Sequence, residues 1–253
     1  MDLRQAQQEL AAAVDALYGS REATLIADWV MEHLTGLKKL DRLMKAGMPL
    51  TAEQLKQYQV FRKELLDNRP VQYVLHESWF GGSRFYVDEN VLIPRPETEE
   101  LAGWAASSIA AGPAGPILDV GTGSGCIAIF LALKLPACPV HACDISAGSL
   151  RVARRNAIDL QAKVRFHELD FLDSSQWSTL PAMQWMISNP PYIPLREKAT
   201  LARHVVDAEP ALALFVPDGD PLVFYRALAG FAGQQLLPGG AVFVETHEDL
   251  AGG

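Results

Sequence analysis

The chain has 253 residues, 49% hydrophobic and 21% charged, the balance of an ordinary soluble globular protein with room for one large domain or for a medium and a small one. A formal net charge of −8 disfavours a broad phosphate-binding surface and therefore nucleic acid as a partner, although a local basic patch is compatible with it. Three cysteines without a Cys-x-x-Cys pair and six scattered histidines argue against a disulfide framework and against a metal site, and fit a reducing cytoplasmic setting.

The first ten residues carry Asp2 and Glu9 and no long apolar run, and no later stretch has the length of a membrane span, so neither a signal peptide nor a membrane is expected. From Asp2 to about Asn68 the pattern is helical. A first helix runs through "LRQAQQELAAAVDALYG" to Gly19, a second capped by Ser20 ends near Gly36, and a third covers "LKKLDRLMKAG". Thr51 and Gln54 have capping-box spacing and open a fourth. Residues 1–70 thus read as a small helical bundle that docks a partner or merely packs.

Residues 71–96 change to alternation, with Gly81 and Gly82 between two alternating runs, and read as a β-hairpin joining two regions. After the helix "EELAGWAASSIA", residues 117–125 form an apolar strand and a turn, Gly121-Thr122-Gly123-Ser124-Gly125, before an apolar helix. Glycines allow a tight turn and let a ligand approach backbone N–H groups at the helix start. The spacing is G-x-G-x-G with Cys126 next, which departs from the dinucleotide fingerprint.

The next strand ends at Asp144, about twenty residues beyond the turn, where a doubly wound fold places an acid for ribose hydroxyls. Capping of the following helix is the alternative for Asp144, but Ser146 can do that. A third strand, "VRFHELDF", delivers Asp170 and Phe171 to the same rim, as an acceptor and a stacking face for a purine or as a plain strand end with a core aromatic. The fourth, "WMISNPPYIP", sets Asn189 at its carboxyl end, followed by Pro190, Pro191 and Tyr192. Two prolines impose one stiff shape there; an ordinary Asn-Pro turn is the bland alternative. "GGAVFVETH" reads as a fifth strand, after a helix around "PLVFYRALAGFAGQQLL". A last motif, "HEDLA" from His247, fails as a zinc helix because Ala251 stands in place of the second histidine.

With these segments in order, the chain resembles a class I S-adenosylmethionine-dependent methyltransferase. It is more closely similar to the PrmC/HemK family, which methylates a glutamine side-chain nitrogen in peptide chain release factors. The stretches carrying the closer likeness are "NRPVQYVLHESWFGGSRFYVDENVLIPRPETEEL", "DVGTGSG", "NPPYIP" and "HVVDAEPALALFVPDGDPLVFYRAL". The resemblance implies an α/β, Rossmann-like methyltransferase domain over residues 97–253, with the helical bundle joined to it by the hairpin. It implies S-adenosylmethionine as cofactor, bound by Gly121 to Gly125, Asp144, Phe171 and Asn189, to which the reading of the third strand's end adds Asp170. It implies that Asn189, Pro190, Pro191 and Tyr192 bind the acceptor glutamine, with Asn189, Pro190 and Tyr192 at the reaction.

Elementary chemistry agrees with that assignment. An amide nitrogen is a poor nucleophile, and two acceptors, the Asn189 side chain and the Pro190 carbonyl, can hold its N–H groups in line; no strong base is required. Arg95 and Thr98 read either as a cover over the cofactor or as a surface loop. Glu209 and Pro210 follow the family pattern without an evident role. The class I fold carries a hairpin after its fifth strand, and the numbering stops at Gly253, so that strand is expected to be an exposed edge. Two other readings fit the same motifs: a nucleic-acid amine methyltransferase acting on adenine N6 or guanine N2, and a cofactor-binding protein without catalysis.

Overall fold

The computed structural model describes residues 1–246, apart from the side chains of Arg203 and His204; the motif from His247 to Ala251 lies outside them. The chain forms two compact units, Met1–His76 and Glu77–Gly253.

In the first unit, α1 (Leu3–Tyr18) and α4 (Ala52–Leu66) both open with a capping box, Asp2 with Gln5 and Thr51 with Gln54. Each satisfies two backbone donors that would otherwise be orphaned at the helix start. Helix α2 (Ser20–Thr35) takes Gly19 as its N-cap, so Ser20 is the first helical residue and not the expected cap; its hydroxyl donates to Asp15 instead. Helix α3 shortens to Lys39–Met44. Residues such as Leu10, Val30, Tyr58 and Leu65 form the core, and Tyr58 satisfies its buried hydroxyl on the Ala6 carbonyl.

The expected joint over residues 71–96 is divided. Val71–Leu75 is a short helix, α5, whose Val71, Val74 and Leu75 complete the first unit's core. The hairpin β1 (Ser78–Phe80) and β2 (Ser83–Phe85) belongs to the second unit, because Phe80 and Phe85 join the core beneath α6 (Pro96–Ala111) and α7 (Cys126–Lys134). A side chain at Gly81 would collide with the Phe130 ring, which ties the hairpin turn closely to α7.

The second unit is built on β3 (Ile117–Val120), β4 (Val140–Asp144), β5 (Val164–Glu168), β6 (Met183–Ser188) and, after the short β7 (Ile193–Pro194) and β8 (Phe215–Val216), β9 (Leu236–Val244). All four pairings in the order β5-β4-β3-β6-β9 are parallel. Alternate residues enter opposite cores: Ile117 and Ile187 pack with α6 and α7, while Leu118 and Met186 pack with α11 (Val223–Gln235). Burial on both faces explains the near-continuous apolar runs of β3 and β6. The order of strands is that of a doubly wound fold, and it reverses between β3 and β6, the place where such folds bind ligands beyond the strands' carboxyl ends. Among the described residues β9 pairs only with β6 and is an edge. No described helix is long and apolar enough to cross a membrane, and no described cluster of His, Cys, Asp and Glu could hold a metal ion.

Candidate functional site

A cavity of about 340 Å³ opens where the strand order reverses, within the size range of small-molecule sites. Gly121, Gly123, Asp144, Asp170, Phe171, Asn189 and Pro191 line it. Thr122, Ser124, Gly125, Pro190 and Tyr192 are not among its lining residues. Thr122 and Ser124 are buried: Thr122 donates its hydroxyl to the buried Asp119 (2.6 Å), and the Ser124 carbonyl accepts from Asn156. Gly125 lies where a Cβ would press on Ala153 and Ile129.

Four of the glycine turn's N–H groups are engaged within the fold: those of Gly121 and Thr122 donate to the Cys143 carbonyl, that of Gly123 to Asp144 (2.9 Å) and that of Gly125 to the Thr122 carbonyl. A phosphate would find these four donors already engaged. What the glycines provide is room and shape. At Gly121 and Gly123, with φ of 73° and 54°, a Cβ would meet nothing within 4 Å and so would intrude on the open cavity.

Asp144 ends β4. Its two carboxylate oxygens each accept one backbone N–H, from Ser146 (2.8 Å) and Gly123, and burial raises its pKa. Each oxygen keeps a further lone pair, enough for a pair of hydroxyls. Ser146 caps α8 (Ala147–Asp159) through Ser149, as its sequence position suggests. Asp119 beneath the turn is fully buried, and burial lifts its pKa to about 7 despite hydrogen bonds from Thr122 and Ala128.

Strand β5 stops at Glu168, so Asp170 and Phe171 sit in the turn that follows and not within the strand. Phe171 lines the cavity and also packs on Trp177 and Phe231, with ring centroids 5.6 and 5.4 Å away, so it is a core aromatic with one side on the cavity. Asn90, Leu92, Ile145, Leu212, Ala213 and Phe224 also line the wall and were not singled out from sequence. Ile145 could have been, since it directly follows the strand-end acid; the others come from loops and helices with no local signature.

Asn189 follows β6 at the cavity. Its Nδ2 donates to the Thr98 hydroxyl (2.8 Å), which donates to Glu245 Oε2 (2.7 Å). The Tyr192 hydroxyl donates to Glu245 Oε1 (3.1 Å), and its pKa rises to about 12, through burial first and then the nearby Glu245 carboxylate. Glu245 is a residue the sequence reading missed, although an acid just past a strand end is the same signal that marked Asp144. Arg95 and Glu209 form an ion pair, and Glu209 also accepts from the Ile93 N–H (3.1 Å). Glu209 therefore anchors the "IPRP" segment from within, giving this acid the role that its sequence context left open.

A parallel sheet in this order, with a cavity lined by the glycine turn, a strand-end acid and an aromatic, defines an α/β domain of the methyltransferase type. In agreement, residues 106–223 match the family described as methyltransferase small domain, and residues 3–75 match the PrmC N-terminal domain. Release factor glutamine methyltransferases are similar over nearly the whole chain. That of Chlorobaculum tepidum is 43% identical over 91% of this chain and 80% of its own length, and that of Flavobacterium psychrophilum 35% identical over 99% and 88%. That of Bacteroides thetaiotaomicron is 38% identical over 92% of this chain and 82% of its own. The chain belongs to the release factor glutamine methyltransferase family.

Proposed function

We propose that this chain transfers a methyl group from S-adenosylmethionine to the side-chain nitrogen of a glutamine in peptide chain release factors, in the cytoplasm. The observation that carries the reading is the placement of Asn189, which lines the cavity and donates through Nδ2 to the Thr98 hydroxyl, leaving Oδ1 to accept.

The cavity's chemistry fits the cofactor. A nucleoside with ribose hydroxyls and no phosphate matches a turn with four N–H groups engaged and an acid with lone pairs to spare. A purine matches the apolar wall of Leu92, Ile145, Phe171 and Leu212, with Asp170 as acceptor. When bound, S-adenosylmethionine supplies a methyl group on a positively charged sulfur, an electrophile that needs little further activation.

What remains for the protein is alignment. The acceptor amide has its lone pair delocalised into the carbonyl, so its nitrogen must be held in one direction. Asn189 Oδ1 and the Pro190 carbonyl accept its two N–H groups, and the Tyr192 ring lies against the planar amide. The ring's exit is braced by β7, which pairs with β8. Neither acceptor is a strong base, and a preorganised pair of acceptors is the larger contribution in such a reaction.

The test is to incubate the chain with methyl-labelled cofactor and, in parallel, with a release factor and with RNA, then to locate the label by mass spectrometry. Label on one release-factor glutamine supports the reading; label on RNA alone, or none, overturns it.

A further inference from the structure

The Asn-Pro-Pro-Tyr segment does not hold itself. An asparagine carboxamide is nearly symmetrical in shape but opposite in polarity at its two ends, and a flipped Asn189 would present N–H groups to a substrate amide that also presents N–H groups. Something must set which end faces the cavity.

We propose that Glu245 is a positioning residue for methyl transfer: through Thr98 it fixes the polarity of the Asn189 carboxamide, and through the Tyr192 hydroxyl it holds the ring beside it. This inference rests on the reading of Asn189 as the acceptor of the substrate amide's N–H.

A hydroxyl has one hydrogen and a carboxylate only accepts. Thr98 lies 2.7 Å from Glu245 Oε2 and must spend its hydrogen there. It therefore meets Asn189, 2.8 Å away, with a lone pair, and only the amide's NH₂ end satisfies that contact. Thr98 is 3% exposed, so water does not compete for its hydroxyl.

The second carboxylate oxygen receives Tyr192 at 3.1 Å. One carboxylate thus governs both the acceptor, through Thr98, and the flat face, through Tyr192. Glu245 is itself well fixed. The last pair of β6 and β9 is Ser188 with Val244, so Asn189 and Glu245 are the next residues out on neighbouring strands. The Glu245 N–H donates to the Ser188 carbonyl (3.1 Å), and its carbonyl accepts from the Tyr225 hydroxyl on α11 (3.1 Å).

Glu245→Gln removes the rule without removing the bulk. Its amide can donate to Thr98, which frees the hydroxyl's hydrogen for Asn189 Oδ1 and allows the carboxamide to flip. Thr98→Val removes the relay and keeps the shape; Thr98→Ser keeps the relay.

The experiment follows the Asn189 side-chain NH₂ signals by ¹⁵N–¹H NMR of the full chain without cofactor, assigned by their loss in Asn189→Asp. It also measures kcat on a release factor at saturating cofactor, and the cofactor Kd by calorimetry. In Glu245→Gln and Thr98→Val the Asn189 signals are expected to shift and kcat to fall about tenfold to a hundredfold, the effect of misplacing a reacting group, with the cofactor Kd unchanged within about threefold. Thr98→Ser is expected to keep the wild-type signals and most of the turnover. Wild-type Asn189 signals in both Glu245→Gln and Thr98→Val would overturn the proposal, as would unchanged kcat in both. If the unaltered chain transfers no methyl group to a release factor, the proposed function fails, while the NMR arm still decides whether Glu245 sets the amide.

Discussion

Glu209 offers a direct test of how the cavity is held open, because its side chain is 1% exposed and anchors two walls at once. It accepts from the Ile93 N–H at 3.1 Å and from Arg95, and the neighbouring Leu92 and Pro210 both line the cavity. Glu209→Ala leaves the Ile93 N–H without its acceptor, a cost of about 1–3 kcal/mol for a buried donor. It also breaks an ion pair whose complete burial would make the loss about 3–5 kcal/mol. Arg95 is 35% exposed and can recover water, so the pair's share is well below that range, and a total of roughly 2–4 kcal/mol is expected. Glu209→Gln keeps an acceptor for Ile93 and is expected to cost about half as much. Urea denaturation measures the loss, and calorimetry with S-adenosylmethionine should show weaker binding as the Leu92 wall loosens. If Glu209→Ala unfolds within about 0.5 kcal/mol of wild type and binds cofactor unchanged, the anchoring argument is wrong.

Other perturbations separate the cavity's parts. Phe171→Leu keeps most of the volume packed on Trp177 and Phe231 but removes the flat face, so cofactor affinity should fall by about two- to tenfold, the worth of an aromatic pairing, and calorimetry on the folded variant checks this. Asp119 has a folded pKa near 7, above its ordinary 3.8, so the folded state holds the proton more tightly and stability falls as pH rises between those values. His141 and His167 have lowered pKa values, through burial first, and act with the opposite sign below about 6.5, His141 down to about 4. Asp119→Asn, whose oxygen can still accept from Thr122 and Ala128, is therefore expected to lose less melting temperature than wild type between pH 6 and pH 8. An equal loss in both proteins would show that Asp119 does not titrate in that window.

Much of the site was legible because its signals are local. A buried strand, three glycines and an apolar helix occupy consecutive residues, and strand-end acids and prolines announce themselves within a few positions. Asp144 and Asn189 stood out for that reason, and the fold brings both to the cavity. The supporting contacts were not legible. Arg95 meets Glu209 across 114 positions and Thr98 meets Glu245 across 147, and no spacing rule couples residues so far apart. Nor were the contacts that shape the glycine turn legible, since the carbonyl of Cys143 and the carboxylate of Asp144, which accept from Gly121, Thr122 and Gly123, come from the next strand. Val71–Leu75 misled outright, because five residues are too few to tell a helix from a strand by periodicity.

The central claim, that Asn189 holds the acceptor amide in line, is tested most directly by Asn189→Ala in single-turnover methylation of a release factor at saturating S-adenosylmethionine. The account predicts a rate lower by about a hundredfold or more, the scale of losing a preorganised contact to the reacting group, with the cofactor Kd within about threefold of wild type. A wild-type rate, or a loss that disappears once cofactor is saturating, would contradict it.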